Sequence, residues 1–106
     1  MKTIIKKNTW SHFALHGWGN GYVLIPKGHP AHGKDYDDIM VDVHGGLTFA
    51  CPAKEWRDQE DLTEDEKECW VVGFDTAHWG DDLRGWPKSR VISETKRLAE
   101  QLTLMQ

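Results

Sequence analysis

Apolar residues along this chain come mostly in runs too short for a helix. Trp10 to Leu15 alternates in part, and Gly21-Tyr-Val-Leu-Ile25 is nearly continuous. Ile39 to Val43, Leu47 to Cys51 and Cys69-Trp-Val-Val-Gly-Phe74 follow. Runs of about four to eight such residues, bounded by glycine, proline and aspartate, read as strands. Gly17, Gly19, Asn20 and Gly21 are expected to turn the chain between 10–15 and 21–25, because glycine and asparagine tolerate positive φ. That makes one hairpin, ended by Pro26. Gly45-Gly46 predicts a second, with 39–43 and 47–51 as its arms. Residues 1–8 read as a lead-in or an edge strand, and 69–74 as the central strand.

Between the strands the pattern loses its period. Residues 27–38 are polar, with two histidines, two glycines, a proline and three aspartates, and hold nothing a core needs. A connection of that length is more often functional than idle. Residues 52–68 are strongly acidic, with Trp56 and Leu62 as their only anchors, and read as a surface excursion. Within it Thr63-Glu-Asp-Glu66 fits a capping box and predicts one helical turn. Its neck is expected to bring Cys51 and Cys69 to face each other. Asp81 to Gly85 is a turn, and Pro87 suits a first helical turn. From there to Leu104 the spacing is helical. Val91, Ile92, Leu98, Leu102 and Met105 fall on one stripe, and Glu94, Lys96, Arg97 and Glu100 on the wet face. The expected fold is α+β: an antiparallel sheet of four to five strands packed against one main C-terminal helix, in a single domain over residues 1–106.

Charge narrows the partners. The net charge of −4 over 106 residues argues against direct nucleic-acid binding, which needs a basic surface. It leaves room for a small anion held by a few local donors. No apolar run approaches the roughly 18 residues that span a bilayer, and Met1 to Lys7 has no signal-peptide pattern. The expected setting is therefore the cytoplasm, away from membranes, with both cysteines as reduced thiols. Six tryptophans are many for this length, and about half are expected in the core.

The candidate chemistry lies in two segments, Asp42-Val-His44-Gly-Gly-Leu-Thr48 and Phe74-Asp75-Thr-Ala-His78-Trp-Gly-Asp81. Each follows a short run that reads as a strand, Ile39-Met-Val41 and Trp70-Val-Val-Gly-Phe74, and delivers carboxylate, imidazole and glycine at its end. Asp42 and His44, at i and i+2, are expected on one side of a strand. Three chemistries fit. Asp42, His44, Asp75, His78 and Asp81 offer nitrogen and oxygen ligands for a divalent metal, with His44, Asp75 and His78 as the metal ligands to expect. An aspartate orienting a histidine also suits acid–base work, although no activated nucleophile accompanies it. Cys51 reads as a packed or idle thiol. Finally, Gly45-Gly46 can form an anion nest, while Lys27, His29, His32 and Lys34 place donors on one loop. Trp18 and Trp79 sit beside glycines where an indole can stack on a base. The plainest reading is that His44 and His78 only fasten neighbouring turns.

The runs Gly21-Tyr22, Pro26-Lys-Gly-His-Pro30, Gly33-Lys-Asp-Tyr-Asp-Asp38, Val43-His-Gly-Gly-Leu-Thr48, Gly73-Phe-Asp75, Ala77-His78 and Gly80-Asp81 carry a resemblance. With the C-terminal helix, the chain resembles a family of small uncharacterised phage and prophage proteins over residues 21–50 and 70–104. Trp79 stands where that family is associated with a smaller residue, and 52–68 looks variable. The resemblance implies a phage accessory role inside an infected or lysogenic host, and no assigned reaction.

The function expected from all this is binding, with a counter-defence role. A small polar, nucleotide-like ligand would be captured by His29, Asp35, Asp42, His44, Thr48, Asp75, His78 and Asp81, with Trp18 and Trp79 stacking. One alternative is a small metal-dependent hydrolase using the same residues. Another is inhibition of a host defence protein through 52–68, with an exposed Trp56 as anchor. A homodimer through the sheet edges is also open.

Overall fold

The computed structural model describes residues 1–9 and 16–105. Four strands, β1 (Thr3–Lys7), β2 (Gly19–Ile25), β3 (Phe49–Pro52) and β4 (Trp70–Phe74), precede one α-helix, α1 (Lys88–Leu104). The sheet is antiparallel throughout, in the order β1-β2-β4-β3. The α+β expectation holds, with four strands. Residues 1–8 supply an edge strand, and β4 lies inside the sheet between β2 and β3.

Both faces of this sheet are covered, which explains why β2 and β4 lack a clean apolar–polar alternation. Val23, Ile25, Val72 and Phe74 face α1 and pack with Val91, Leu98 and Leu102. Leu24 and Val71 point the other way, onto Ala53 and Trp56, with Tyr22, Phe49 and Leu62 around them. Residues 53–68 thus form a third layer rather than a loose excursion. Trp56 is 4% exposed, so it is core and not an exposed anchor. The acidic side chains around it are partly spent on the edge strand and the 27–38 loop. Lys2 pairs with Glu66, Lys6 with Asp61 and Lys27 with Glu68. The capping box forms as expected: Thr63 N–H donates to Glu66 Oε1 at 2.8 Å, and Glu66 N–H to Thr63 Oγ1 at 3.4 Å.

Several expectations need correction. Gly19, Asn20 and Gly21 belong to β2 and are not a turn. The close approach of α1 requires Gly21, since a Cβ there would lie 2.0 Å from Thr95 Oγ1. Residues 10–15, the other arm of the expected hairpin, lie outside the described residues; β2 pairs with β1 on one side and β4 on the other. Residues 39–43 are not a strand. They keep alternate burial at Ile39 and Val43, but their backbone is paired by side chains of α1. Asp42 N–H donates to Gln101 Oε1 and Gln101 Nε2 donates to Asp42 O, each at 2.7 Å. His44 N–H donates to Glu94 Oε2 at 2.7 Å. Buried backbone groups need partners from somewhere, and here the helix supplies them. Glu94 is therefore engaged, not on a wet face. The buried stripe of α1 is Val91, Thr95, Leu98 and Leu102.

The long 27–38 loop does bury something: Ala31 is 1% exposed. Cys51 is registered against Val71, and Cys69 O accepts from Ala53 N, so the two cysteines are not directly opposed. Both thiols are pushed up, chiefly by burial and then by a nearby glutamate. Neither is activated, as the idle-thiol reading of Cys51 expects.

Candidate functional site

His44 precedes β3 and His78 follows β4. Antiparallel pairing of Phe49 with Gly73 brings those two chain ends out at the same end of the sheet. The turn at 43–46 closes with Gly46 N–H donating to Val43 O, and Gly45 takes φ +68°. A Cβ on Gly45 would lie 2.3 Å from His78 Cε1, so the His78 ring rests directly on this turn.

The loop after β4 is folded by its own aspartates, each accepting a backbone N–H as turn aspartates do. Asp75 Oδ1 accepts from Ala77, Asp81 Oδ2 from His78 and Asp82 Oδ1 from Gly85. Asp81 is the hub. It is 7% exposed and receives an imidazole on each oxygen. His44 Nε2–H donates to Oδ1 at 2.8 Å, and His78 Nδ1–H donates to Oδ2 at 3.2 Å. His78 Nδ1 also lies 3.5 Å from Asp75 Oδ1. The imidazoles meet edge to face at 5.2 Å, and Trp86 lies against His44 at 4.1 Å between ring centres. Arg90 covers the Trp86 ring at 4.1 Å.

Burial alone would raise the Asp81 pKa, but its bonds from His44 and His78 outweigh that and hold the carboxyl below its ordinary value. Glu94 is likewise held low, first by Arg97, against burial and with help from His44 N–H.

Four predicted site residues, His44, Asp75, His78 and Asp81, thus come together. The others do not. Asp42 is exposed and pairs with Arg97 at 3.2 Å, because residue 42 turns toward α1 while His44 turns toward β4. His29 is a fastener: Nε2–H donates to Leu102 O at 2.7 Å and Nδ1 accepts from Ala31 N–H. His32 donates to Glu68 O. Asp35 is exposed, and its carbonyl accepts from Asp38 N–H. Thr48 is exposed, and its N–H donates to Gly73 O, extending the ladder below β3. Trp18 packs against the core with Lys88 over its ring at 5.4 Å, while Trp79 is fully exposed.

Asp75 also borders a second feature that no local motif announces. Lys6, Lys7, Asn8, Thr9, Asn20, Tyr22, Arg57, Asp58 and Ala77 complete a polar hollow of about 340 Å³ over the β1–β2 end of the sheet. Asn20 Nδ2 donates to Tyr22 Oη at 3.3 Å, but Asn20 Oδ1 is buried and meets no partner among the described residues. Asn20 reads from sequence as a turn residue, which hides this role.

No family model, curated protein or solved structure matches this chain. No helix among the described residues is long and apolar enough to cross a membrane.

Proposed function

We propose that this chain acts by binding, capturing a small polar ligand with an anionic part, of nucleotide type, in the hollow beside Asp75. The phage resemblance supplies the setting, an accessory protein that counters a host process. One observation carries the reading: Asn20 lines the hollow, and its buried Oδ1 has no partner among the described residues. A buried acceptor left without a donor costs about 1–3 kcal/mol, and a ligand N–H or hydroxyl would satisfy it. The hollow's volume falls within the roughly 300–1,000 Å³ of small-molecule sites. Lys7 and Arg57 bring cations to it beside the carboxylates of Asp58 and Asp75, and Tyr22 gives it an aromatic wall.

The test is calorimetric titration with a panel of nucleoside mono- and triphosphates and cyclic dinucleotides, on the wild type, Asn20→Ala and Arg57→Ala. The expected result is one saturable ligand whose affinity falls at least tenfold in each variant. Asn20→Ala should change the melting temperature little, since it removes an unsatisfied acceptor together with one long bond from Nδ2 to Tyr22 Oη. Binding unchanged in both variants, or no binding across the panel, overturns the reading.

A further inference from the structure

We infer that His44, His78 and Asp81 form a site for one divalent transition-metal ion, with Asp75 as a further oxygen donor at its edge. Each of the three offers a ligand atom, and those atoms all lie within 4.8 Å of one another. The nitrogen–oxygen separations are 2.8 Å for His44–Asp81, 3.2 Å for His78–Asp81 and 3.5 Å for His78–Asp75. Ligand atoms about 2.0–2.1 Å from a tetrahedral ion stand about 3.3–3.4 Å apart. His78–Asp81 and His78–Asp75 are already close to that edge; His44–Asp81, measured to the other Asp81 oxygen, needs to open by about half an ångström, and the His44 and His78 ligand atoms lie within 4.8 Å of each other.

Charge and rigidity agree with this. Asp75 and Asp81 together carry the two negative charges that offset a dication. Two imidazoles favour zinc, copper, iron or nickel over magnesium, calcium or manganese, which prefer oxygen-rich sets. The donors are held in place before any ion arrives. Trp86 stacks on His44, the Gly45 backbone supports His78, and the His78 N–H fixes Asp81. Three protein ligands leave the fourth position to Asp75 or to an exchangeable water, and with water there the arrangement is that of reactive rather than purely structural metal sites. Side-chain exposures of 24% and 33% at His44 and His78 give an ion a way in.

This inference does not depend on a ligand in the hollow. A chain that binds a nucleotide and no metal refutes only this site, and a chain that binds metal and no nucleotide refutes only the hollow. The experiment is equilibrium dialysis of the metal-stripped full chain against Zn²⁺, with metal content read by plasma mass spectrometry. One equivalent is expected, with at least tenfold weaker binding in His44→Gln and in His78→Gln and no change in His32→Gln. Co²⁺ loading of the wild type should give the strong visible absorption of a four-coordinate site, lost in His78→Gln. Circular dichroism of the stripped variants checks that they are folded; should either variant unfold, the wild-type cobalt spectrum decides. A wild type that binds no zinc, zinc binding undiminished in both histidine variants, or a six-coordinate cobalt spectrum overturns the assignment.

Discussion

Asp81→Asn tests the hub of the site, because the substitution keeps shape and removes charge. The carboxylate accepts from His44 Nε2–H, His78 Nδ1–H and His78 N–H while 7% exposed. Hydrogen bonds to a charged group contribute about 1.5–3 kcal/mol each. Asparagine keeps one acceptor oxygen, so part of this survives, but its amide N–H then confronts a ring N–H. The expected loss is about 2–4 kcal/mol, in the range for breaking a buried network. For a domain of this size that lowers the melting temperature by about 10–20 °C.

Urea denaturation at several pH values, with chelator present so that only the side-chain network is measured, gives the sign as well. Asp81 titrates in the folded chain below its ordinary value of 3.8. Its contribution is therefore complete above that value and lost as pH falls through the lower folded pKa. The wild-type advantage over Asp81→Asn should persist from neutrality to about pH 4 and close below it. Other carboxylates held low, such as Glu94, are common to both proteins and cancel. A gap under about 1 kcal/mol at neutral pH, or one that stays open in strong acid, would refute the account of a charged hub.

Gly45→Ala should destabilise far more than Gly46→Ala by thermal melting. Both glycines have positive φ, which costs a side chain about 1–2 kcal/mol, but only at Gly45 does the new Cβ strike the His78 ring, whereas Gly46 faces open space. Equal losses would remove the turn–ring contact from the explanation. Trp56→Ala should cost about 3–5 kcal/mol in urea unfolding, as a buried aromatic does. Trp79→Ala, fully exposed, should stay within about 0.5 kcal/mol. A small effect at Trp56 would mean that residues 53–68 do not form a true third layer.

What could be read from sequence follows from which interactions are local. β4, the stripe of α1 and the Thr63 capping box depend on neighbours a few residues away, and all three are found. The path of 39–43 depends on Glu94 and Gln101, about 50 to 60 positions later, whose side chains replace a neighbouring strand. Nothing near 39–43 distinguishes that from a β-ladder, because both give alternate burial. Asp42 was placed with His44 for the same reason: period two sets same-side neighbours only where a pleated strand exists. Trp56 looked exposed because its surroundings are acidic, but the residues that bury it, Leu24 and Val71, lie on the back of a sheet whose second covered face only the fold reveals.

The meeting of the two histidine segments is the most instructive case, since nothing in the sequence decides it. Both segments read as following strands, yet His44 comes before one. In an antiparallel pair the start of one strand lies beside the end of its neighbour. A segment entering β3 therefore meets one leaving β4, whereas two segments leaving adjacent antiparallel strands would emerge at opposite ends. Convergence thus rests on the register of β3 on β4, whether or not 39–43 pairs with 47–51. In the observed register, with Thr48 N–H on Gly73 O, three residues lie between His44 and Thr48 and three between Phe74 and His78. The arms are equal, and Asp81 needs only the one turn closed by its own N–H on His78 O to reach between them.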